Sequence, residues 1–399
     1  MNKTMTIRSS LGTRRSDRKT LDVDHVREFV DRVFGDGLHA LRVLSLANGV
    51  AGVLNAAAIS VHAIGQAYAQ VAKITGKSGV KQVDRLLSNG GVELQAVMGS
   101  WVRFVIGENA NVVIALDWTD FAKDDHTTLC AYVVTKQGGR ATPLAWSTVS
   151  KSQLKNGRTK HELDMLRRLH AWLPDSVRVT LLADRAFGYQ ELYALLASLG
   201  WDFVLRFRGN ILVEAADGVR RTAEEWVAAS GSAKALRGAR VTADRALVGA
   251  VVVAKAKKMK EPWCLATSLG DAPASDIIKL YGRRFTIEET FRDTKDLNFG
   301  MGLSATHIRS AERRDRLLLL VAVAHTLLSL LGAASEESGL DKYLKVNTVK
   351  RRTHSLYRQG VYWFHAIPTM REDWLARLMT AFDRIVREHP FLSHFFEIK

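Results

Sequence analysis

Apolar residues recur every three to four positions through residues 22 to 100. Val26, Phe29, Val30, Val33 and Phe34 form one stripe, Leu41, Val43 and Leu44 another, and a third runs from Ile59 to Lys73. That period predicts amphipathic helices, with almost no strand-like run in the first hundred residues. The pattern changes near residue 111. Asn111 to Asp117 is an apolar run ending in an acid, and Val177 to Asp184 is a second. Leu129–Thr135, Ala141–Val149 and Asp202–Arg208 read as further strands, with Gln137, Gly138 and Gly139 turning the chain between the first two. His161–Leu173 and Gln190–Leu199 read as helices. Short strands are expected again between 209 and 272, at Ile211–Glu214, Ala239–Thr242, Leu247–Ala254 and Trp263–Thr267. Residues 312–334 and 372–387 are expected to be helical. Leu317–Leu331 is the most apolar stretch, but it contains His325 and is short for a bilayer span, so a buried core helix is expected.

Three strands followed by helix, strand, helix, strand resembles the RNase H-like order. The expected fold class is α/β: an RNase H-like catalytic core interrupted by a β-rich insertion, with N-terminal and C-terminal helical regions. Charge adds a partner. The 57 Lys and Arg against 41 Asp and Glu leave a formal charge of +16, which favours a polyanion, nucleic acid above all. Residues 75–89 lead from a Gly-rich basic turn into a short helix carrying Lys81 and Arg85. This resembles a helix-turn-helix reader, with a basic helical-bundle face as the alternative. The two cysteines, Cys130 and Cys264, lie in apolar runs and suit buried thiols in a reducing compartment. No Cys/His group has zinc spacing, and no signal peptide is visible.

The chemistry lies in acids. Asp117 and Asp184 each end an apolar strand, where α/β ligand sites form. The window from Tyr281 to Asp296 reads as one helix, and offsets of 0, 3, 7 and 14 put Tyr281, Arg284, Glu288 and Lys295 on one face. An acid between bases on one stripe suits phosphates held beside a metal ligand. Glu289 points about 100° away from that stripe. Three carboxylates can hold two divalent cations about 4 Å apart, and Mg2+ suits such hard oxygen ligands. Asp120, Asp124 and Asp125 read as plain loop acids, with support of the metal ligands from behind as the alternative, and His126 reads as a solvated loop histidine, with orienting a water as the alternative.

Asp117, Asp184 and Glu288 resemble the Asp-Asp-Glu triad of bacterial insertion-sequence transposases. Tyr281, Arg284, Glu288 and Lys295 match the Tyr-x2-Arg-x3-Glu-x6-Lys signature of insertion-sequence family four. The resemblance runs from about 60 to 310. It implies that Asp117, Asp184 and Glu288 are catalytic metal ligands for a two-metal Mg2+ site, with Mn2+ able to substitute. It implies DNA contacts from Tyr281, Arg284 and Lys295, and by analogy from Arg206. Arg185 has two readings, a phosphate clamp or a surface salt bridge. Trp263 is the candidate for stacking on a base flipped out at the element tip, and a core Trp in a strand is the other reading.

The implied function is cut-and-paste DNA transposition, by nicking, hairpin formation and strand transfer. The implied partners are double-stranded DNA, as terminal inverted repeats and target, and a second copy in a DNA-bridged homodimer. No membrane partner is expected, and the setting is bacterial cytoplasm. The domains expected are a flexible basic arm (1–20), a helical DNA-binding domain (21–105), the core's first part (106–208), the β-rich insertion (209–272), the helix of the catalytic Glu (273–310) and a helical region for DNA contact or dimerisation (311–399). The rival readings are an RNase H-like nuclease without strand transfer and a non-catalytic DNA-binding regulator.

Overall fold

The computed structural model describes residues 22–388, apart from 57, 135–139, 155–156, 258, 297–300 and 347. The basic arm before residue 21 and the turn at Gln137–Gly139 lie outside the described residues. Five helices come first: α1 (Val23–Phe34), α2 (Ala40–Asn55), α3 (Val61–Ala72), α4 (Gly76–Ser88) and α5 (Leu94–Ile106). Side-chain caps start several of them. Asp22 accepts from the Asp24 and His25 amides, Ser60 from the Ala63 amide and Thr75 from the Ser78 amide, meeting amides that have no partner within the helix.

The centre of the fold is an eight-stranded mixed sheet. Its strands are β1 (Asn111–Phe121), β2 (His126–Val133), β3 (Thr142–Ser150), β4 (Arg178–Ala183) and β5 (Asp202–Phe207), joined by three from the next stretch of chain. Helix α6 (Arg158–Trp172) precedes β4, and α7 (Gln190–Ser198) precedes β5. Residues 209–272 supply β6 (Leu212–Glu214), β7 (Arg220–Thr222), β8 (Lys234–Arg237), β9 (Arg240–Val241), β10 (Ala246–Leu247), β11 (Ala250–Ala254) and β12 (Trp263–Thr267). The large sheet has the order β3-β2-β1-β4-β5-β12-β11-β8, and a second sheet has the order β10-β9-β6-β7. Among the described residues, only β1–β4 and β4–β5 pair in parallel in the large sheet. The β-rich stretch is therefore divided: three of its strands lengthen the central sheet and four stand apart.

Beyond the sheet come α8 (Ala274–Gly282), α9 (Thr286–Lys295), α10 (Ala311–Glu337), α11 (Leu356–Ala366) and α12 (Glu372–Glu388). Helix α10 is buried nearly all round, and 94% of its most apolar window lies inside the protein. It is long and apolar enough to cross a membrane by composition, yet here it is the core helix against which α2, α3's partner α4, α11, α12 and β3 pack. Helix α11 was not expected from periodicity. Two glycines make its contact with α10 possible: a Cβ on Gly360 would stand 1.7 Å from the Leu328 carbonyl oxygen, and one on Gly332 would stand 1.9 Å from that of Leu356.

Candidate active site

The first two acids meet through register. In the parallel pair β1–β4, Leu116 lies opposite Ala183, and these are the last partners before β4 ends. The next residue on each chain is an Asp, Asp117 and Asp184. Strand β1 itself does not end there, as the apolar run had predicted. It continues to Phe121, paired antiparallel with β2 down to His126. Thr119 and Asp120 interrupt the apolar run, but they still have a neighbouring strand to bond, so the pairing persists after the apolar pattern stops. Asp184 Oδ1 accepts from the Ala186 amide at 2.8 Å and shapes the turn leaving β4. Asp117 Oδ1 accepts from the Trp118 amide at 2.9 Å.

The third acid arrives on α9. The window from Tyr281 to Asp296 is not one unbroken helix: a single 3-10 turn over Arg283–Phe285 separates α8 from α9. Arg284 sits in that turn with its side chain only 7% exposed. Its Nη1 donates to Asp117 Oδ2 at 2.9 Å and its Nη2 to Glu288 Oε1 at 3.0 Å. Its guanidinium also lies 5.9 Å from the Tyr281 ring centre. Burial pushes the Asp117 carboxyl up to about 6; Arg284 opposes that shift, while the negative charges of Asp184 and Glu288 add to it. The three acids therefore share one electrostatic neighbourhood. Lys295, at the end of α9, donates to Thr119 Oγ1 at 3.0 Å and to the Asp120 carbonyl at 2.8 Å. Thr290 Oγ1 accepts from the Ala141 amide at 2.9 Å, and Arg140 pairs with Asp293, so α9 is docked on the sheet along its length.

The family model for the transposase DDE domain matches residues 110–327, from the start of β1 to the middle of α10. The chain belongs to the DDE transposase family. No curated protein matches it as a relative. As a transposase it is a DNA-binding enzyme, nuclease and transferase in one, and its family generally uses divalent metals.

The three acids of this transposase are a hard-oxygen donor set of the kind Mg2+ prefers. As the side chains stand, no group of three His, Cys, Asp or Glu among the described residues is drawn together closely enough to grip an ion. The Arg284 guanidinium bridges Asp117 and Glu288. The residues fit a divalent metal in chemistry and in shared charge, with Arg284 as the cation now among them.

The remaining sequence candidates divide. Arg185 and Arg206 both pair with Glu261, at 2.9 and 3.4 Å. Trp263 opens β12, half-buried, stacked on Phe285 at 5.8 Å and 19° and edge-on to Tyr281 at 5.0 Å. Tyr281 itself is fully buried, so as the side chains stand it supports Trp263 and Arg284 rather than offering a surface. Lys81 and Arg85 are exposed on α4, and α4 is joined to α10 through the Arg313–Asp84 pair at 2.7 Å. Of the acids expected in loops, Asp120 instead lies within β1, opposite Thr127, and pairs with Lys151 at 2.6 Å; Asp125 accepts from Ser150 and Ser152, and Asp124 pairs with Arg314 and His307. His126 is not solvated as expected. It opens β2, 5% exposed, with Arg314 Nε donating to its Nδ1 at 3.1 Å.

One acid of the transposase escaped the sequence reading. Glu162, 2% exposed, accepts from Trp118 Nε1 and from the Tyr189 hydroxyl, both at 2.7 Å. A signal was present. Glu162 shares the buried stripe of α6 with Met165, Leu166 and Leu169, and a carboxylate on an apolar stripe needs partners.

Proposed function

We propose that this transposase moves an insertion sequence by a cut-and-paste route, with Asp117, Asp184 and Glu288 as its reacting acids. The observation that carries the reading is the Leu116–Ala183 register, which sets Asp117 beside Asp184, together with the Arg284 bridge from Asp117 to Glu288. The core is read as RNase H-like, and the Tyr281, Arg284, Glu288 and Lys295 set as the signature of insertion-sequence family four. Asp117, Asp184 and Glu288 would hold Mg2+ or Mn2+. A bound pair of such ions would supply activation of the attacking oxygen and charge relief at the leaving oxygen.

The chain's own residues supply the rest. Arg284 offsets the mutual repulsion of the acids while DNA is absent. Its fork geometry also suits a phosphate, so the incoming strand competes for it with the carboxylates. Lys295 fixes the outer half of β1, and with it the direction in which Asp117 points. Trp263, backed by Phe285 and Tyr281, offers an indole on which a displaced base can stack. Lys81 and Arg85 on α4 face the duplex outside the cutting site, with Arg185 and Arg206 beside it. In the reaction sequence, water attacks a phosphodiester at each element end and breaks its P–O3′ bond, leaving a 3′-hydroxyl on the element and a 5′-phosphate on the flank. That hydroxyl attacks the phosphodiester of the opposite strand, forming a hairpin and releasing the flanking DNA with its own 3′-hydroxyl. A second water opens the hairpin, and the regenerated 3′-hydroxyl attacks a target phosphodiester, displacing a target 3′-hydroxyl. Two copies, bridged by the two ends, carry this out on chromosomal or plasmid DNA in the bacterial cytoplasm.

The test uses DNA flanking the gene, where inverted repeats inside a short direct duplication provide the substrate. Asp117→Asn, Asp184→Asn and Glu288→Gln are each expected to abolish metal-dependent cutting while end binding survives. Wild-type cutting by any of the three removes that acid from the assignment. Cutting by the wild type without joining of the ends to target DNA would favour a nuclease instead.

A further inference from the structure

Successive residues of a strand face opposite sides of a sheet. Trp118 therefore points away from the side on which Asp117 meets Arg284. On that reverse side α6 presents Glu162. The Trp118 indole donates to Glu162 Oε1 and the Tyr189 hydroxyl to Glu162 Oε2, each at 2.7 Å. Trp118 directly follows Asp117. Tyr189 ends the loop that starts at Asp184, and it stands at the N-terminal cap of α7. One buried carboxylate thus ties the residue after the first acid to the loop after the second. Arg158, one turn earlier on α6, lies over the Trp118 ring at 5.3 Å. A carboxylate is suited to this task because both its oxygens accept, and here each receives one donor.

We propose that Glu162 is a positioning residue, which sets the spacing and direction of Asp117 and Asp184 by holding Trp118 and Tyr189 from the reverse face of the sheet. The proposal rests on the reading of Asp117 and Asp184 as reacting acids. A Glu162 that only packs would affect stability. A positioning Glu162 affects the chemical step at unchanged DNA affinity, since misplacement by about 1 Å costs on the order of 100-fold in rate.

The experiment takes the full-length protein and a duplex carrying the element's inverted repeat. It compares Glu162→Ala, Glu162→Gln, Tyr189→Phe, the Glu162→Ala/Tyr189→Phe double variant and Asp117→Asn with the wild type. Single-turnover cleavage, duplex affinity and thermal midpoint are measured for each. Glu162→Ala should cut about 10- to 100-fold more slowly with duplex affinity unchanged. Glu162→Gln should recover most of that loss, because the amide still accepts from Trp118 and can donate to Tyr189. Tyr189→Phe should slow cutting in the single variant and add little to Glu162→Ala, since both remove the same bond. Cleavage at the wild-type rate in Glu162→Ala and Tyr189→Phe overturns the proposal, as do fully additive losses. Should Glu162→Ala fail to fold, Tyr189→Phe and the Tyr189→Phe/Glu162→Gln pair decide on the same criteria. Asp117→Asn separates the two levels: if it cuts normally, the acid assignment falls and the proposal with it. If it is inactive while the Glu162 and Tyr189 variants cut normally, only the positioning role is lost.

Discussion

Arg284 holds Asp117 from within the protein: the guanidinium, 7% exposed, donates to the carboxylate at 2.9 Å while its second arm reaches Glu288. Two carboxylates spanned by one planar fork is a geometry that lysine cannot copy, because an ammonium is a point charge. A hydrogen bond to a charged partner contributes about 1.5–3 kcal/mol. The Glu288 arm contributes less, since that side chain is 52% exposed and water screens it. Arg284→Lys is therefore expected to lower cleavage by roughly tenfold or more and to lower the thermal midpoint. Single-turnover cleavage and a melting curve check this, and a lysine variant with wild-type rate and midpoint would show the fork to be dispensable.

Two groups away from the three acids, the part-buried Asp315 and the buried His325, give the fold opposing responses to pH. Asp315 accepts from the Thr148 amide at 3.0 Å, and burial pushes its carboxyl up to about 6. His325, stacked on Tyr357 at 4.5 Å, is pushed by burial down to about 4. The folded state holds the Asp315 proton that the unfolded chain releases, so this contribution is present at low pH and lost as pH rises from about 4 to about 6. The unfolded chain takes up a proton on His325 that the folded state refuses, so this contribution is present above about 6.5 and lost as pH falls to about 4. The two offset each other in the same window. Asp315→Asn should expose the histidine, with a midpoint that falls on acidification. His325→Phe should expose the aspartate, with a midpoint that falls as pH rises from 4 to 6. Two variants that both track the wild-type profile would contradict the assignment.

The sequence carried the two apolar runs ending in Asp, the N-terminal helices and the spacing that puts Arg284 next to Glu288. It could not carry register. That Asp117 stands beside Asp184 depends on Leu116 pairing with Ala183 across a long crossover, and no local pattern encodes that pairing. The outer half of β1 was missed because Thr119 and Asp120 break the apolar run. Their partners on β2, Thr127 and Thr128, are polar yet fully buried, and Thr128 bonds Thr148 across the sheet at 2.8 Å. The division of residues 209–272 between two sheets was equally hidden, since strands of two to five residues look alike in either sheet. Glu162 does not stand out in the sequence because an acid in a helix is usually solvated, and its partners lie 44 and 27 residues away.

Lys81 and Arg85 are exposed on α4, so replacing them tests DNA contact without disturbing the core. Each phosphate contact removed should lower the salt dependence of duplex binding by about 0.9 in the log–log slope. The double change Lys81→Ala/Arg85→Ala is expected to weaken binding and to reduce that slope by about 2, with an unchanged thermal midpoint. Binding isotherms at several salt concentrations measure it. An unchanged slope would take α4 out of the DNA interface.

Trp263 is the sharpest test of the order of steps. Its indole is stacked on Phe285 and set edge-on to Tyr281, which gives it a firm back and leaves it half-buried at the start of β12. A base stacked on an aromatic ring contributes about 1–3 kcal/mol, or roughly 5- to 150-fold in the step that needs the displaced base. On the cut-and-paste route proposed above, the hairpin step needs a displaced base and the first nick does not. Trp263→Ala is therefore expected to leave the first nick close to wild type and to slow the following hairpin step at least about fivefold. Trp263→Phe should fall between, since a smaller ring still offers a face. Time courses on denaturing gels resolve nick and hairpin separately. If both steps slow together in proportion to a lowered thermal midpoint, the indole serves packing against Phe285 and not the displaced base.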